Sequence, residues 1–286
     1  MIAAIPLLTA DSATAAFWRI DMILYDMHLH STFSFDSELE MTAAADRALE
    51  LGLSGIAFTD HLDVNYLADG SDVYYDFGDY LEAVDKVKAE YEGRLEILSA
   101  VEVGLQPHVV SENISRLSGY DFDYKIGSTH LISRIDPYDG TYFKVEPERV
   151  HAYRRYLREV ITNVDLYHDF NTLGHFDYVV RYALFGDNTI YFREFYDELK
   201  TVVGQMIRYG LAFEVNTRSY DKTPMDLEML KAYKNAGGET VVIGSDAHKA
   251  DRIGRNFKAA VELIKYCGFD HIAHFREGKP VYERID

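Results

Sequence analysis

Cysteine, basic charge and long apolar runs are all scarce in this chain, and each scarcity removes a class of protein. Cys267 is the single cysteine in 286 residues. It excludes an intrachain disulfide and a cysteine-based zinc knuckle, and it fits a reducing compartment. No apolar run reaches the roughly 18 residues of a membrane-spanning helix. Lys and Arg number 29 against 47 Asp and Glu, for a formal charge of −18. Nucleic-acid polymers need cationic side chains to neutralise phosphates, so they are excluded as a main partner, as is an anionic membrane surface. A small anionic substrate stays open, because local charge can differ from the mean. Residues 1–21 lack the basic start of a secretory signal and read as an N-terminal extension. The fold is expected over residues 22–286, in one cytoplasmic domain. Nothing in the sequence speaks to oligomeric state.

What is present is a large apolar fraction, 48%, with 14% aromatics, and 11 histidines among the carboxylates. The apolar residues fall into a repeating unit. Short apolar runs at Ile23–Met27, Gly55–Phe58, Leu95–Val101, Tyr124–Ile126, Thr172–Leu173, Leu211–Val215 and Thr240–Ile243 predict strands. Amphipathic stretches at Glu40–Leu51, Asp79–Glu90, Glu146–Val164, Tyr191–Tyr209, Met225–Asn235 and Arg252–Tyr266 predict helices between and after them. Pro147 and Pro224 suit first-turn positions. Strand–helix alternation predicts an α/β fold, a TIM-like barrel one unit short of eight. An open doubly wound sheet has the same alternation.

The residues that follow the strands carry the chemistry. His28 and His30 follow the first, with Asp36 beyond; His61 follows the second. Glu102 ends the third, His130 follows the fourth, His175 the fifth, and Asp246 and His248 the seventh. In a parallel barrel these positions share the C-terminal mouth, where active sites sit. Imidazole and carboxylate are ligands for Zn, Mn and Fe. His28 and His30, two apart on a strand end, point to one side, as do Asp246 and His248. A lone histidine after a strand is more often a hydrogen-bonded structural residue. The same donor type at six strand ends is a different matter. The remaining five, His108, His151, His168, His271 and His274, fall in helical stretches or after them and read as structural or exposed.

Nine donors exceed one ion's coordination and suffice for two or three divalent ions if a carboxylate bridges. Clustered ions lower the pKa of a shared water and clamp phosphoryl oxygens for in-line displacement. The expected nucleophile is a metal-bridging hydroxide. No Gly-x-Ser-x-Gly elbow is present, and Cys267 lies in a helical pattern.

Six segments resemble the PHP (polymerase and histidinol phosphatase) family of metal-dependent phosphoesterases. They are Met27–Thr32, Phe58–His61, Val101–Gly104, Gly127–His130, Gly174–Tyr178 and Gly244–His248. The similarity covers roughly Met22 to Ile285 and is nearest to the histidinol-phosphatase branch. The resemblance implies a distorted (β/α)7 barrel. It implies a first metal on His28, His30, Glu102 and Asp246, and a second on Glu102, His130 and His175. It implies a third on Asp36, His61 and His248. Among these, Glu102, His130, Asp246 and His248 are assigned to the chemical step. Asp at position 36, where some members have His, leans toward that branch and favours a harder ion.

A phosphomonoester also needs protein cations. Arg181 and Arg218 are the candidates, with Arg181 preferred, and Asn216 beside Thr217 matches the branch pattern after the sixth strand. Arg218–Lys222 and Leu131–Asp136 depart from that pattern. Asp136, Asp139 and Asp221 are candidates for an acidic rim facing a cationic leaving group. The resemblance implies a small phosphate-ester substrate, histidinol phosphate first. A nucleotide or short oligonucleotide, and a metal-binding scaffold without turnover, are the alternatives.

Overall fold

The computed structural model describes residues 22–66, 69–221 and 227–285. The N-terminal extension expected over residues 1–21, and Pro224 and Met225 with it, lie outside the described residues.

Seven parallel strands follow one another around the sheet. They are β1 (Tyr25–Leu29), β2 (Gly55–Phe58), β4 (Glu96–Gly104), β5 (Tyr124–Ser128), β6 (Thr172–Leu173), β7 (Ala212–Asn216) and β8 (Val241–Gly244). A two-residue β3 (His61–Leu62) pairs with the upper end of β4, His61 opposite Glu102. The sheet returns on itself at the mouth. Asp246 N donates to His28 O at 2.7 Å, and His30 N donates to Ala247 O at 2.8 Å. A nearly closed parallel barrel is therefore the architecture, and the open-sheet alternative is set aside. Helices α1 (Met41–Leu51), α2 (Phe77–Glu90), α3 (Val110–Leu117), α4 (Thr141–Val145), α5 (Arg149–Leu166), α6 (Tyr196–Tyr209), α7 (Leu227–Asn235) and α8 (Phe257–Tyr266) surround it.

The helix ends follow local chemistry. The Asp76 carboxylate accepts from Asp79 N at 3.0 Å and starts α2 two residues before the predicted Asp79. Gly52 and Gly210 end α1 and α6 in the left-handed conformation. α5 starts at Arg149, so Pro147 lies just ahead of it rather than in its first turn. The stretch predicted as a helix from Arg252 is a 3-10 turn over Ala250–Arg252 followed by α8. Helices α3 and α4 are too short to show a periodicity of their own.

Two apolar layers result. The larger packs the outer faces of the strands against the helices. The smaller fills the barrel with Tyr25, Met27, Leu98, Ala100, Tyr124, Ile126, Ala212 and Val242. It also contains Ala273 and Phe275 from an antiparallel hairpin of β9 (His271–Arg276) and β10 (Lys279–Arg284). This hairpin seals the N-terminal end, with the Phe275 ring stacked 5.1 Å from Tyr124. His271 and His274, read as lying in or after helical stretches, come after α8 and lie on the strand β9.

Candidate metal centre and active site

Inward-facing residues change character along each strand. In β4, Leu98 and Ala100 give way to Glu102. In β5, Tyr124 and Ile126 give way to Ser128, and in β7 Ala212 gives way to Glu214 and Asn216. Strand β1 needs an irregularity to join them. Asp26 pairs with Ile56 and Leu29 with Phe58, so β1 holds one extra residue between the two pairs. This bulge lets Met27 and His28 both face inward, and it aims His28 and His30 into the mouth. Asp246 sits at φ 53°, a left-handed backbone that is rare outside glycine.

All nine predicted donors meet at this mouth. His28 Nε2 lies 3.4 Å and His30 Nε2 3.5 Å from Glu102 Oε2, and Asp246 Oδ1 is 3.5 Å from His30 Nε2. Glu102 Oε1 faces His175 Nε2 at 2.8 Å and His130 Nε2 at 3.2 Å. Asp36 lies 3.0 Å from His248 Nε2 and 3.6 Å from His61 Nε2. The geometry brings Glu102 together with His28 and His30 and with His130 and His175, and sets Asp36 beside His61 and His248. His30, His61 and His248 also form a close trio, which puts His30 between two of the sets.

Most of these donors are buried, Asp36 and His248 being the more exposed, and burial makes their charges costly unless opposed. Glu102, His28 and His30 are fully buried. Glu102 Oε2 has three ring nitrogens nearby and no hydrogen bond of its own. Burial favours the neutral carboxyl of Glu102, but His28 and His130 outweigh it and hold Glu102 well below the usual range. Burial likewise lowers His130, yet Asp63 and Glu102 push it up to about 10. His28 rises well above its ordinary value for the same reason, with Glu214 the strongest opposing charge. Burial lowers His30 and His175 instead. Buried imidazoles and carboxylates brought together are the donor chemistry that divalent ions take, so the residues fit a metal cluster.

A shell of partners orients the rings, and the sequence reading missed most of it. His28 Nδ1 bonds Glu214 at 2.6 Å, and His130 Nδ1 bonds Asp63 at 3.0 Å. His30 Nδ1 bonds Ser34 Oγ at 3.0 Å, and Ser34 donates to the buried Asp60 at 2.7 Å. These bonds place a proton on each Nδ1 and leave Nε2 for an ion. Two glycines make room for the shell. A Cβ on Gly104 would stand 1.8 Å from Asp63 Oδ1, and one on Gly244 would stand 2.7 Å from Glu214 Oε1. Signals existed: Glu214 is an acid inside an apolar strand, and Asp63 lies two residues after His61, on the same side.

Both arginines reach the centre. Arg181 is buried and donates to Asp246 Oδ2 at 2.5 Å, to Ser219 at 2.9 Å and to Asn216 at 2.9 Å. Arg218 donates to Asp246 Oδ1 at 2.9 Å and is part-exposed. Asn216 does not face the cavity. Its amide is engaged by Arg181, Arg218 N and Glu214, which makes it a support for the arginines rather than a substrate contact.

The cavity over the donors is about 330 Å³, a size for a small ligand. Arg181, Arg218 and Lys249 line one part of it; Phe35, Tyr66, Tyr138, Tyr178 and Tyr182 form an aromatic wall. Of the predicted acidic rim, Asp136 meets this wall by accepting from the Tyr66 hydroxyl. Asp139 instead accepts from Thr141 at the start of α4, and the Asp221 side chain lies outside the described residues. His108 and His151 are exposed, and His168 stacks on Tyr209. Among the described residues no helix is long and apolar enough to cross a membrane.

The chain is similar to known proteins. The family model of the PHP domain matches residues 26–218. A histidinol-phosphatase from Lactococcus lactis subsp. lactis is 32% identical over 253 residues, 87% of this chain and 93% of that protein. A crystal structure of histidinol phosphate phosphatase from the same organism, complexed with zinc, L-histidinol and phosphate, superposes with a TM-score of 0.85. It is 31% identical and covers 90% of this chain and 98% of that one. A Listeria monocytogenes structure at 17% identity and a TM-score of 0.73, covering 82% of this chain and 99% of its own, shares the fold.

Proposed function

The chain belongs to the PHP-domain family, and from that membership we propose that it is a metal-dependent phosphomonoesterase converting L-histidinol phosphate and water to L-histidinol and phosphate. The observation that carries this reading is one cavity that joins seven of the nine metal-type donors to two arginines sharing Asp246, with His28 and His30 set against Glu102. The relatives' names and the zinc, histidinol and phosphate of the Lactococcus structure support it.

Two to three divalent ions, Zn, Mn or Fe, would be held by His28, His30, Glu102 and Asp246; by Glu102, His130 and His175; and by Asp36, His61 and His248. Such ions, when bound, lower the pKa of a water and offset phosphoryl charge. The chain's own residues do the rest. Glu102 faces two donor sets at once and fixes their spacing. Arg181, gripped at three of its nitrogens, presents a rigid guanidinium to phosphate oxygens. Arg218, less confined, can close over the ester from the exposed side. The aromatic wall offers ring faces to an imidazole and excludes water from the phosphoryl group. The single cysteine suits the cytoplasm, and the acidic surface suits neither a nucleic-acid polymer nor a membrane as partner.

The test is phosphate release by the metal-loaded protein, with histidinol phosphate set against nucleotides and generic phosphomonoesters. Preference for histidinol phosphate in kcat/KM is expected. Preference for nucleotides would move the substrate class, and no turnover of any ester with metal loaded would make the site a binding scaffold.

A further inference from the structure

Glu214 is fully enclosed at 2% exposure, on a strand whose other inward residues are apolar or amide. Each of its oxygens meets a donor. Oε1 accepts from His28 Nδ1 at 2.6 Å and from Asn216 Nδ2 at 3.1 Å. Oε2 accepts from the backbone N–H of His175 at 2.5 Å. One carboxylate thus touches a ring of the first donor set, the main chain carrying a ring of the second, and the amide that holds Arg181. We propose that Glu214 is a positioning residue that fixes the proton of His28 on Nδ1 and sets the first metal position in register with His175 and Arg181. This rests on the ligand assignment above.

The chemistry makes the role specific to a carboxylate. A backbone N–H always donates, so the oxygen facing His175 must be an acceptor. Asn216 cannot turn over to compensate, because its Oδ1 already accepts from Arg181 and from Arg218 N at 3.1 Å. Glu214→Gln keeps the shape but has one acceptor oxygen. With that oxygen on His175 N–H, the amide NH2 faces His28 Nδ1. The imidazole then accepts at Nδ1 and carries its proton on Nε2, the atom aimed at the metal. Glu214 therefore differs from a carboxylate that merely fills space, for which glutamine would serve.

The experiment compares full-length wild type and Glu214→Gln loaded with zinc, titrated with a chelator, and read by metal content and by zinc anomalous diffraction. Loss of affinity by about 10–100-fold, the usual effect of losing a ligand's outer partner, is expected at the His28 position. The position held by Asp36, His61 and His248 should keep its zinc. Equal zinc affinity at every position in the two proteins, or equal weakening at all of them, would overturn the proposal. If wild type itself binds no zinc at the mouth, the ligand assignment fails first. Should the variant not fold, ring 15N shifts of zinc-loaded wild type decide: His28 protonated on Nδ1 supports the role, and protonated on Nε2 overturns it.

Discussion

The two ends of the barrel bury the same side chain under opposite conditions. At the mouth, His28, His130 and His61 each lie beside buried carboxylates that raise them above the ordinary value. At the sealed end, His274 stacks on Tyr25 at 3.8 Å, and neither of its ring nitrogens has a hydrogen bond. Burial, helped by Arg276 and opposed by Glu96, lowers it to about 4. Burial penalises a charged imidazole at both ends, and the neighbours decide the outcome. His274, with no carboxylate oxygen as near as a hydrogen bond and Glu283 at 3.9 Å, is packing against Tyr25. Histidines buried among carboxylates within hydrogen-bond distance have the donor chemistry of a metal site.

That contrast can be broken first at Glu102, the carboxylate common to two donor sets. Glu102→Gln is expected to lower kcat by more than the roughly 10²–10³-fold that loss of one charge-stabilising group costs. Steady-state assays across metal concentrations check it; near-normal turnover would remove Glu102 from the centre. Removal of ions by a chelator should have the same effect and be reversed by re-addition. Arg181→Ala comes next, with kcat/KM down by about 10²-fold. An unchanged kcat/KM would mean that another cation, Arg218 or Lys249, holds the phosphate.

A smaller effect is expected where the shell is disturbed without touching a ligand. Gly104→Ala drives a methyl into Asp63, the partner of His130 Nδ1. Metal affinity should fall by about 10–100-fold, read by chelator competition, and excess metal should restore part of the activity. Affinity equal to wild type would show that Asp63 is not needed there.

The smallest effect on catalysis belongs to the sealed end. His274→Phe keeps the stack on Tyr25 and removes two unbonded nitrogens, so activity should not change. Thermal stability at neutral pH should hold or rise by about 1 kcal/mol. The acid limb should change too. With its folded value below its unfolded one, His274 takes up its proton in the unfolded chain first. Its share of stability is present above the ordinary histidine value and is lost as pH falls toward about 4. The variant should lose that share of acid sensitivity; an acid limb like wild type's would show that His274 does not titrate as its surroundings imply.

The sealed end was also the less legible in the sequence. Strands that end in a donor announced themselves, because His30, Glu102, His130, His175 and Asp246 each break an apolar run at the same point of a repeating unit. Nothing comparable marks the hairpin. His271–Arg276 and Lys279–Arg284 are short, and the second is largely exposed, so neither alternation nor apolarity is strong. The shell around the ligands was only half legible. Glu214 and Asp63 carry a pattern signal, but Ser34 and Asp60 are joined to His30 by a loop whose path no periodicity reveals. Asn216 was read as a substrate contact because of its neighbours in sequence, and its place behind Arg181 depends on where α6 and β7 bring the chain.

The central claim is that the mouth's excess of buried carboxylate exists to hold divalent ions. A crystal structure of the protein loaded with metal and phosphate tests it most directly. Anomalous density is expected at two or three positions among the nine donors, sharing Glu102, with the anion against Arg181. A mouth without ions in metal-saturated crystals, its carboxylates still paired with protonated histidines, would contradict it.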